Sequence, residues 1–320
     1  MKIAFVGKGG SGKTSHAALF THYLLHSGYA VFALDGDINM HLPSFFGVDA
    51  MAHPHLAHVS HAEQIKKFLR GTNERIRSEA EMKKTTPPGR GSRLLSWQLL
   101  DHPELRHLFS SPDPRMRLGV VGTYDTEHIG ATCYHNHLSI AENLLSHFMD
   151  PSAVVVMDMV AGTDAFASSL FTQFDVLVLQ IEPTLRGLQV YHQYMALAEA
   201  SGVAQRVVVV GNKIRTAEQE SFIRESIPEE ILLGVLPELS LLQRFDIDAV
   251  VPRQDEVFHV YAKMGERVLQ TLHRLRLKPR EHLNNLQKLH ARYASQAHVM
   301  RAHGDLSGQI DHDFCMHEQV

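Results

Sequence analysis

Short apolar runs recur along this chain, separated by longer stretches in which apolar and polar positions alternate with helical spacing. The runs KIAFVG (2–7), YAVFALD (29–35), RLGVVG (117–122), AVVVMDM (153–159), DVLVLQI (175–181), RVVVVGN (206–212) and ILLGVLP (231–237) are rich in β-branched and aliphatic residues. A strand this uniformly apolar must be covered on both faces, as in a parallel sheet between two helical layers. Residues 14–26 and 185–201 have the length and spacing of crossover helices between such strands. The pattern predicts an α/β fold: a doubly wound, mainly parallel sheet of about seven strands. Ligands of such sheets gather beyond the carboxyl ends of the strands.

Two segments break the alternation. Residues 50–116 are rich in His, charge and Pro, and read as an insertion that is helical around 61–82, with TTPPGRGS (85–92) as an exposed loop. From about residue 271 the chain is polar with helical spacing. We therefore expect one domain over 1–270 that carries the insertion, and a helical tail over 271–320.

The first strand runs into GKGGSGKT (7–14), which satisfies two patterns. Gly7, Gly9 and Gly12 fit the G-x-G-x-x-G of a dinucleotide fold, and Asp35 ends the second strand near the distance expected of a ribose-binding acid. That reading leaves Lys13 and Thr14 unexplained. As a phosphate-binding loop, G-x-x-x-x-G-K-[ST], every residue has a task. The backbone at Gly9, Gly10, Ser11, Gly12, Lys13, Thr14 and Ser15 wraps the phosphates, Lys13 meets the β/γ oxygens, and the Thr14 hydroxyl holds Mg²⁺. The second reading is the better one. Two further segments agree with it. VVVMDMVAG ends a strand in Asp158, suited to hold a water on the metal, with Gly162 four residues on, free to approach a γ-phosphate. LDGDINMHL places Asp35 and Asp37 where the second strand opens, and a carboxylate there is suited to orient the attacking water.

Bulk composition narrows the setting. Hydrophobic content of 44% and charged content of 21% are ordinary for a globular chain, and a net charge of −4 gives no general attraction to nucleic acid or anionic lipid. Two cysteines make no disulfide framework, and no apolar run approaches a bilayer span. The expectation is a cytoplasmic protein with no transmembrane segment. Histidine is the unusual count, at 23.

KGGSGKT resembles the deviant phosphate loop (deviant Walker A) of the MinD/ParA and nitrogenase iron-protein class of ATPases, whose extra signature lysine corresponds to Lys8. The resemblance covers roughly 1–48 and 117–265. It implies an ATP hydrolase that requires Mg²⁺ and pairs into a homodimer in its ATP state, with Lys8 reaching the partner's phosphates. It also implies catalytic roles for Lys8, Lys13 and Asp37. VVVGNKIR resembles the class's Asn-Lys step, so Asn212, with Lys213, would read adenine while Pro237 and Glu238 line the base. One position departs from the class: Ile38, not Pro, follows Asp37, so hydrolysis is expected to be slow.

Residues 117–148 resemble the segment of carbon monoxide dehydrogenase nickel-insertion ATPases that carries a Cys-x-Cys pair before a helix, here altered to Cys133-Tyr134-His135 ahead of a helix expected near Leu138. Pairs from two chains would give a Cys₂His₂ set at a dimer interface, acceptable to Zn²⁺ and plausible for Ni²⁺. The implied role is nickel-type cofactor maturation of a client metalloenzyme. The alternatives are a MinD/ParA-like positioning ATPase or an adaptor acting on a protein partner without metal. The carboxyl-terminal DFCMHEQV lacks a basic amphipathic helix for a membrane, and LHRLRLKPREH (272–282) is a weak nucleic-acid face, so nucleic acid is not expected as a partner. His53, His55, His58 and His61, and His312, Cys315 and His317 in the tail, match no defined metal motif and read as solvated polar surface.

Overall fold

All seven apolar runs form strands: β1 (Lys2–Gly7), β2 (Ala30–Asp35), β3 (Met116–Val120), β4 (Ala153–Asp158), β5 (Val176–Ile181), β6 (Val207–Ile214) and β7 (Leu232–Pro237). The computed structural model describes residues 1–123, 134–248 and 250–316, and the side chains of 134–136 and 248 fall outside that description. The strands make one parallel sheet in the order β3-β2-β4-β1-β5-β6-β7. Because side chains alternate across a strand, the sheet feeds two cores. Ile3 and Phe5 of β1, with Val154 and Val156 of β4, pack beneath α1 (Lys13–His26) and a later helix, Gln254–Leu275. Ala4, Val6, Val155 and Met157 face the opposite layer. That layer contains α2 (Val59–Arg70), α3 (Tyr134–His147), α4 (Leu185–Ala200) and α5 (Ala217–Ser226). Helix α4 begins where expected, because the Thr184 hydroxyl accepts a 3.0 Å bond from the Gly187 amide and so caps it.

Three expectations need correction. The helix of the insertion stops at Arg70, not near 82, because Gly71 turns with φ +55° and lies so close to Gly91 that an added Cβ would meet its carbonyl oxygen at 2.5 Å. Beyond it only a single 3₁₀ turn, Glu79–Glu81, forms before residue 82. The TTPPGRGS segment is not an exposed loop: Thr85 through Gly89 are buried. What covers them comes from the other end of the chain. After α6 (Ser240–Asp248), α7 (Gln254–Leu275) runs through residue 271, followed by α8 (Pro279–Ala294) and α9 (Ala297–His303). The Thr85 hydroxyl lies 3.0 Å from His290 Nδ1, the Thr86 hydroxyl donates to Gln309 at 2.8 Å, and Arg90 makes a two-pronged pair with Asp311 at 2.8 and 3.2 Å. Finally, α3 already includes Tyr134 and His135, ahead of the start expected near Leu138.

The insertion also protects the sheet. An unpaired strand edge is a template for aggregation. Here the Leu56 and Ala57 amides donate to the Val120 and Val121 carbonyls at 2.8 and 3.0 Å, closing the free side of β3 at its carboxyl end.

Candidate nucleotide-binding site

The loop between β1 and α1 is shaped by glycine. Gly10 and Gly12 take φ of +82° and +93°, left-handed values that cost a side-chain-bearing residue strain. A Cβ at Gly12 would also collide with the Asn212 amide, whereas Gly9 and Gly10 have open space above them. A Ser11 N–H···O=C Lys8 bond of 3.0 Å closes the turn. The Ser11 hydroxyl is buried without a partner, the sort of orphaned group that a bound ligand can satisfy. Lys8 is exposed on the outer side of the loop.

The carboxyl ends of β2 and β4 bring three carboxylates to this loop. Lys13 is paired with Asp37, and its ammonium lies 3.4 Å from Asp158. The Thr14 hydroxyl donates to the other Asp158 oxygen at 2.6 Å. Burial works against charge on Lys13, but Asp158 and Asp37 outweigh it and hold the amine above its ordinary range. Asp158 is pushed up to about 6 by burial, against the pull of Lys13. Asp37 is also partly desolvated, yet Lys13 and Asn39 bring it below the usual carboxylate range.

Asp35 does different work from the ribose contact of the dinucleotide alternative. Fully buried, its two oxygens accept the backbone amides of Asp37 and Leu42, each at 2.9 Å. Its pKa is raised by burial and then by Asp158, its direct register neighbour on β4. The loop after β2 is thereby tied at both ends. Asn39 adds a second tie, its amide and side chain donating to Asp37 Oδ1 at 3.0 and 2.9 Å. This Asx arrangement supplies local rigidity at the place where Ile38 stands in lieu of proline.

From the other side, β6 delivers Asn212 and Lys213. The Asn212 amide donates to the Ser11 carbonyl at 2.8 Å, and the Lys213 ammonium donates to the Gly10 carbonyl at 2.6 Å and to Glu182 at 3.0 Å. Lys213 has φ +59°, an uncommon conformation for a residue with a side chain. Pro237 ends β7 and Glu238 forms a two-pronged pair with Arg215 at 2.8 and 2.9 Å. Gly162 opens a 3₁₀ turn after β4 with φ +71° and nothing within 4 Å of its Cβ position. Glu182, Asn39 and Arg215 escaped the sequence reading because each takes its meaning from a partner that only folding supplies. Cys133 lies outside the described residues, as does the His135 side chain; among the described residues no group of three or more His, Cys, Asp or Glu is assembled to hold a metal.

Sheet order, glycine loop and the lysine between two strand-end aspartates define a P-loop nucleotide-binding domain. The chain matches the CobQ/CobB/MinD/ParA nucleotide binding domain family over residues 3–263 and belongs to it. Among its relatives is the carbon monoxide dehydrogenase accessory protein CooC of Rhodospirillum rubrum, 28% identical over 247 residues, covering 77% of this chain and 87% of CooC. An uncharacterised ATP-binding protein of Methanocaldococcus jannaschii is 28% identical over 240 residues, covering 74% of this chain and 83% of the relative. The fold is shared with the Pyrococcus furiosus cell division ATPase MinD (TM-score 0.54, 19% identity, 84% of this chain and 98% of that one). It is shared too with a plasmid partition protein of Borrelia burgdorferi crystallised with AMPPNP (TM-score 0.56, 14% identity, 84% and 98%). The chain is thus a MinD/ParA-type member of a family of P-loop ATPases.

Proposed function

We propose that this protein is an ATP-driven dimerising switch that assists maturation of a metal cofactor, of the nickel type, in a client enzyme. The observation that carries the ATPase reading is the meeting of Lys13, Thr14, Asp37 and Asp158 at one end of the sheet beside an open glycine loop. A triphosphate would draw Lys13 away from its two carboxylates, since several phosphate charges outcompete two partly neutralised acids. That exchange would free Asp37 to orient the attacking water, while Asp158 and Thr14 would hold Mg²⁺. The metal would neutralise charge on the β and γ oxygens. Gly9, Gly10, Ser11, Gly12 and Ser15 present backbone to the phosphates, and Gly162 has room to approach the γ position. Asn212, Lys213, Pro237 and Glu238 would line the base. Lys8, exposed at the loop's outer face, would reach the phosphates of a second copy.

The maturation role draws on the relative CooC, named as an accessory protein of carbon monoxide dehydrogenase, and on the Cys133-x-His135 pair. Two chains would supply Cys₂His₂, a set that Zn²⁺ and Ni²⁺ both accept. Metal content and solution mass of the purified protein, with and without MgATP, test the proposal. One Zn²⁺ or Ni²⁺ per dimer fewer in Cys133→Ser than in the wild type is the expected result. Equal metal in both proteins, or no ATP-dependent change in mass, would move the reading to a protein-partner adaptor without metal.

A further inference from the structure

The histidines of the insertion are not merely scattered over its surface. His58 immediately precedes α2, His61 lies in its first turn, and the 3₁₀ turn Arg106–Leu108 carries His107 alongside. The His58 and His61 rings are 5.1 Å apart between centroids, and the His61 and His107 rings 6.3 Å. Two imidazoles on one Zn²⁺, with Zn–N bonds of about 2.0–2.1 Å, place their centroids roughly 5–6 Å apart. The first pair already has that separation, and the second exceeds it by little. The folded chain brings His107 to this place from a segment far along the sequence, so the spacing is a product of packing and not of a helical repeat.

Ring orientation agrees with ligation. His61 Nδ1 lies 2.8 Å from the His55 carbonyl, which can only accept, so Nδ1 carries the proton and Nε2 keeps its lone pair. A carbonyl on one ring nitrogen is the arrangement that fixes a histidine for metal binding through the other. His58 Nδ1 is likewise occupied, 2.9 Å from the Ser60 hydroxyl. His55 is left out of the set: its Nε2 is held by the Ala50 carbonyl at 3.1 Å and its Nδ1 lies against Gly122, 3.2 Å from where a Cβ would stand. His58 and His107 are exposed and His61 half-buried, so solvent reaches the site and its side chains can adjust. Although no three ligands are preassembled about one point among the described residues, exposure leaves the His107 ring room to turn toward the other two. The amino-terminal end of α2 opposes a cation, but that field fades within a turn and is weaker than direct coordination.

We infer that His58, His61 and His107 form a binding site on the insertion for one divalent first-row transition-metal ion of the kind imidazole favours, with water completing the shell. This site belongs to the single chain. It depends neither on the nucleotide nor on Cys133.

The test titrates Zn²⁺ alone into the metal-stripped full-length protein against a chromophoric chelator, and records X-ray absorption at the zinc edge. The variants are Cys133→Ser, His61→Gln and His107→Gln, with circular dichroism as the folding control. One site per chain should persist in Cys133→Ser with a shell of nitrogen and oxygen only. Affinity should fall at least tenfold in His61→Gln and in His107→Gln. ATP turnover measured without Zn²⁺ should be the same in both histidine variants as in the wild type, which separates this site from the nucleotide reading. Wild-type affinity in both histidine variants, no Zn²⁺ binding by the wild type, or loss of all bound metal in Cys133→Ser would overturn it. The exposed ring of His107 contributes little to folding, so its variant decides the matter even if His61→Gln is unstable.

Discussion

Lys13 is the residue on which the candidate site turns, and its removal has two separable consequences. The ammonium lies between Asp37 and Asp158, both buried. Deleting one member of a buried ion cluster leaves uncompensated charge, at a cost of about 3–5 kcal/mol. Lys13→Ala should therefore lose MgATP binding in a calorimetric titration and also unfold at lower denaturant concentration. Tight ATP binding by a folded Lys13→Ala would remove the phosphate-loop assignment. Lys8, being exposed, offers a cleaner probe. Lys8→Ala should keep its stability yet lose roughly 10³-fold in turnover if the lysine acts across a dimer, by analogy with arginine fingers. Unchanged turnover would reduce Lys8 to a surface charge. Asp35 predicts a third pattern, because it holds two loop amides and faces no open space. Asp35→Asn keeps the shape but offers one acceptor oxygen in place of two, and should cost about 1–3 kcal/mol in denaturant unfolding.

At the scale of elements, helix pairing governs how firmly the P-loop helix is held. Helix α1 leans on α7, with Tyr23 stacked on Phe258 at 5.9 Å and the His16 and Tyr261 rings at 5.2 Å. Gly265 permits that approach, since a Cβ there would meet the Tyr23 ring at 2.5 Å. Alanine would ordinarily improve a helix by up to about 1 kcal/mol, but overpacking costs about 1–3 kcal/mol. The steric term is the larger, so Gly265→Ala should lower the thermal midpoint. A raised midpoint would mean that α1 and α7 can part without penalty. The seven strands and the two flanking crossover helices were legible in the sequence because their apolar runs are local and uninterrupted. The end of α2 was not, because a close approach between Gly71 and Gly91 ends it.

For the whole molecule, stability has a pH dependence written into the layer between α3 and its neighbours. Glu142 is fully buried, one oxygen bonded to the Ser169 hydroxyl at 2.5 Å and the other without a partner. Burial raises its pKa from 4.5 to about 7. Between those values the folded chain holds a proton that the unfolded chain has released, so this group's contribution falls as pH rises and is lowest above 7. Glu142→Gln should behave like the wild type at pH 4.5 and be more stable at pH 8, by about 3 kcal/mol if the full shift is realised. Chemical denaturation of both proteins at the two pH values checks this. A mutant equally or less stable at pH 8 would mean that the carboxylate is solvated in the native state.

What the sequence by itself determined is what short stretches carry whole. Apolar runs announced seven parallel strands, and GKGGSGKT announced a phosphate loop, because each depends on neighbours within a few residues. Asp37 and Asp158 could be named from their places at strand ends. Tertiary structure decided what those residues touch. Only the adjacency of β2 and β4 puts Asp35 beside Asp158 and turns it from a ligand candidate into the tie of a loop. Only the return of β6 past the glycine turn gives Asn212 and Lys213 the carbonyls of Ser11 and Gly10. The TTPPGRGS segment has the composition of exposed loop, yet the tail buries most of it through His290, Gln309 and Asp311. His107 joins His61 in the same way. Contacts between residues distant in sequence leave no periodicity in either segment, so packing alone decides them.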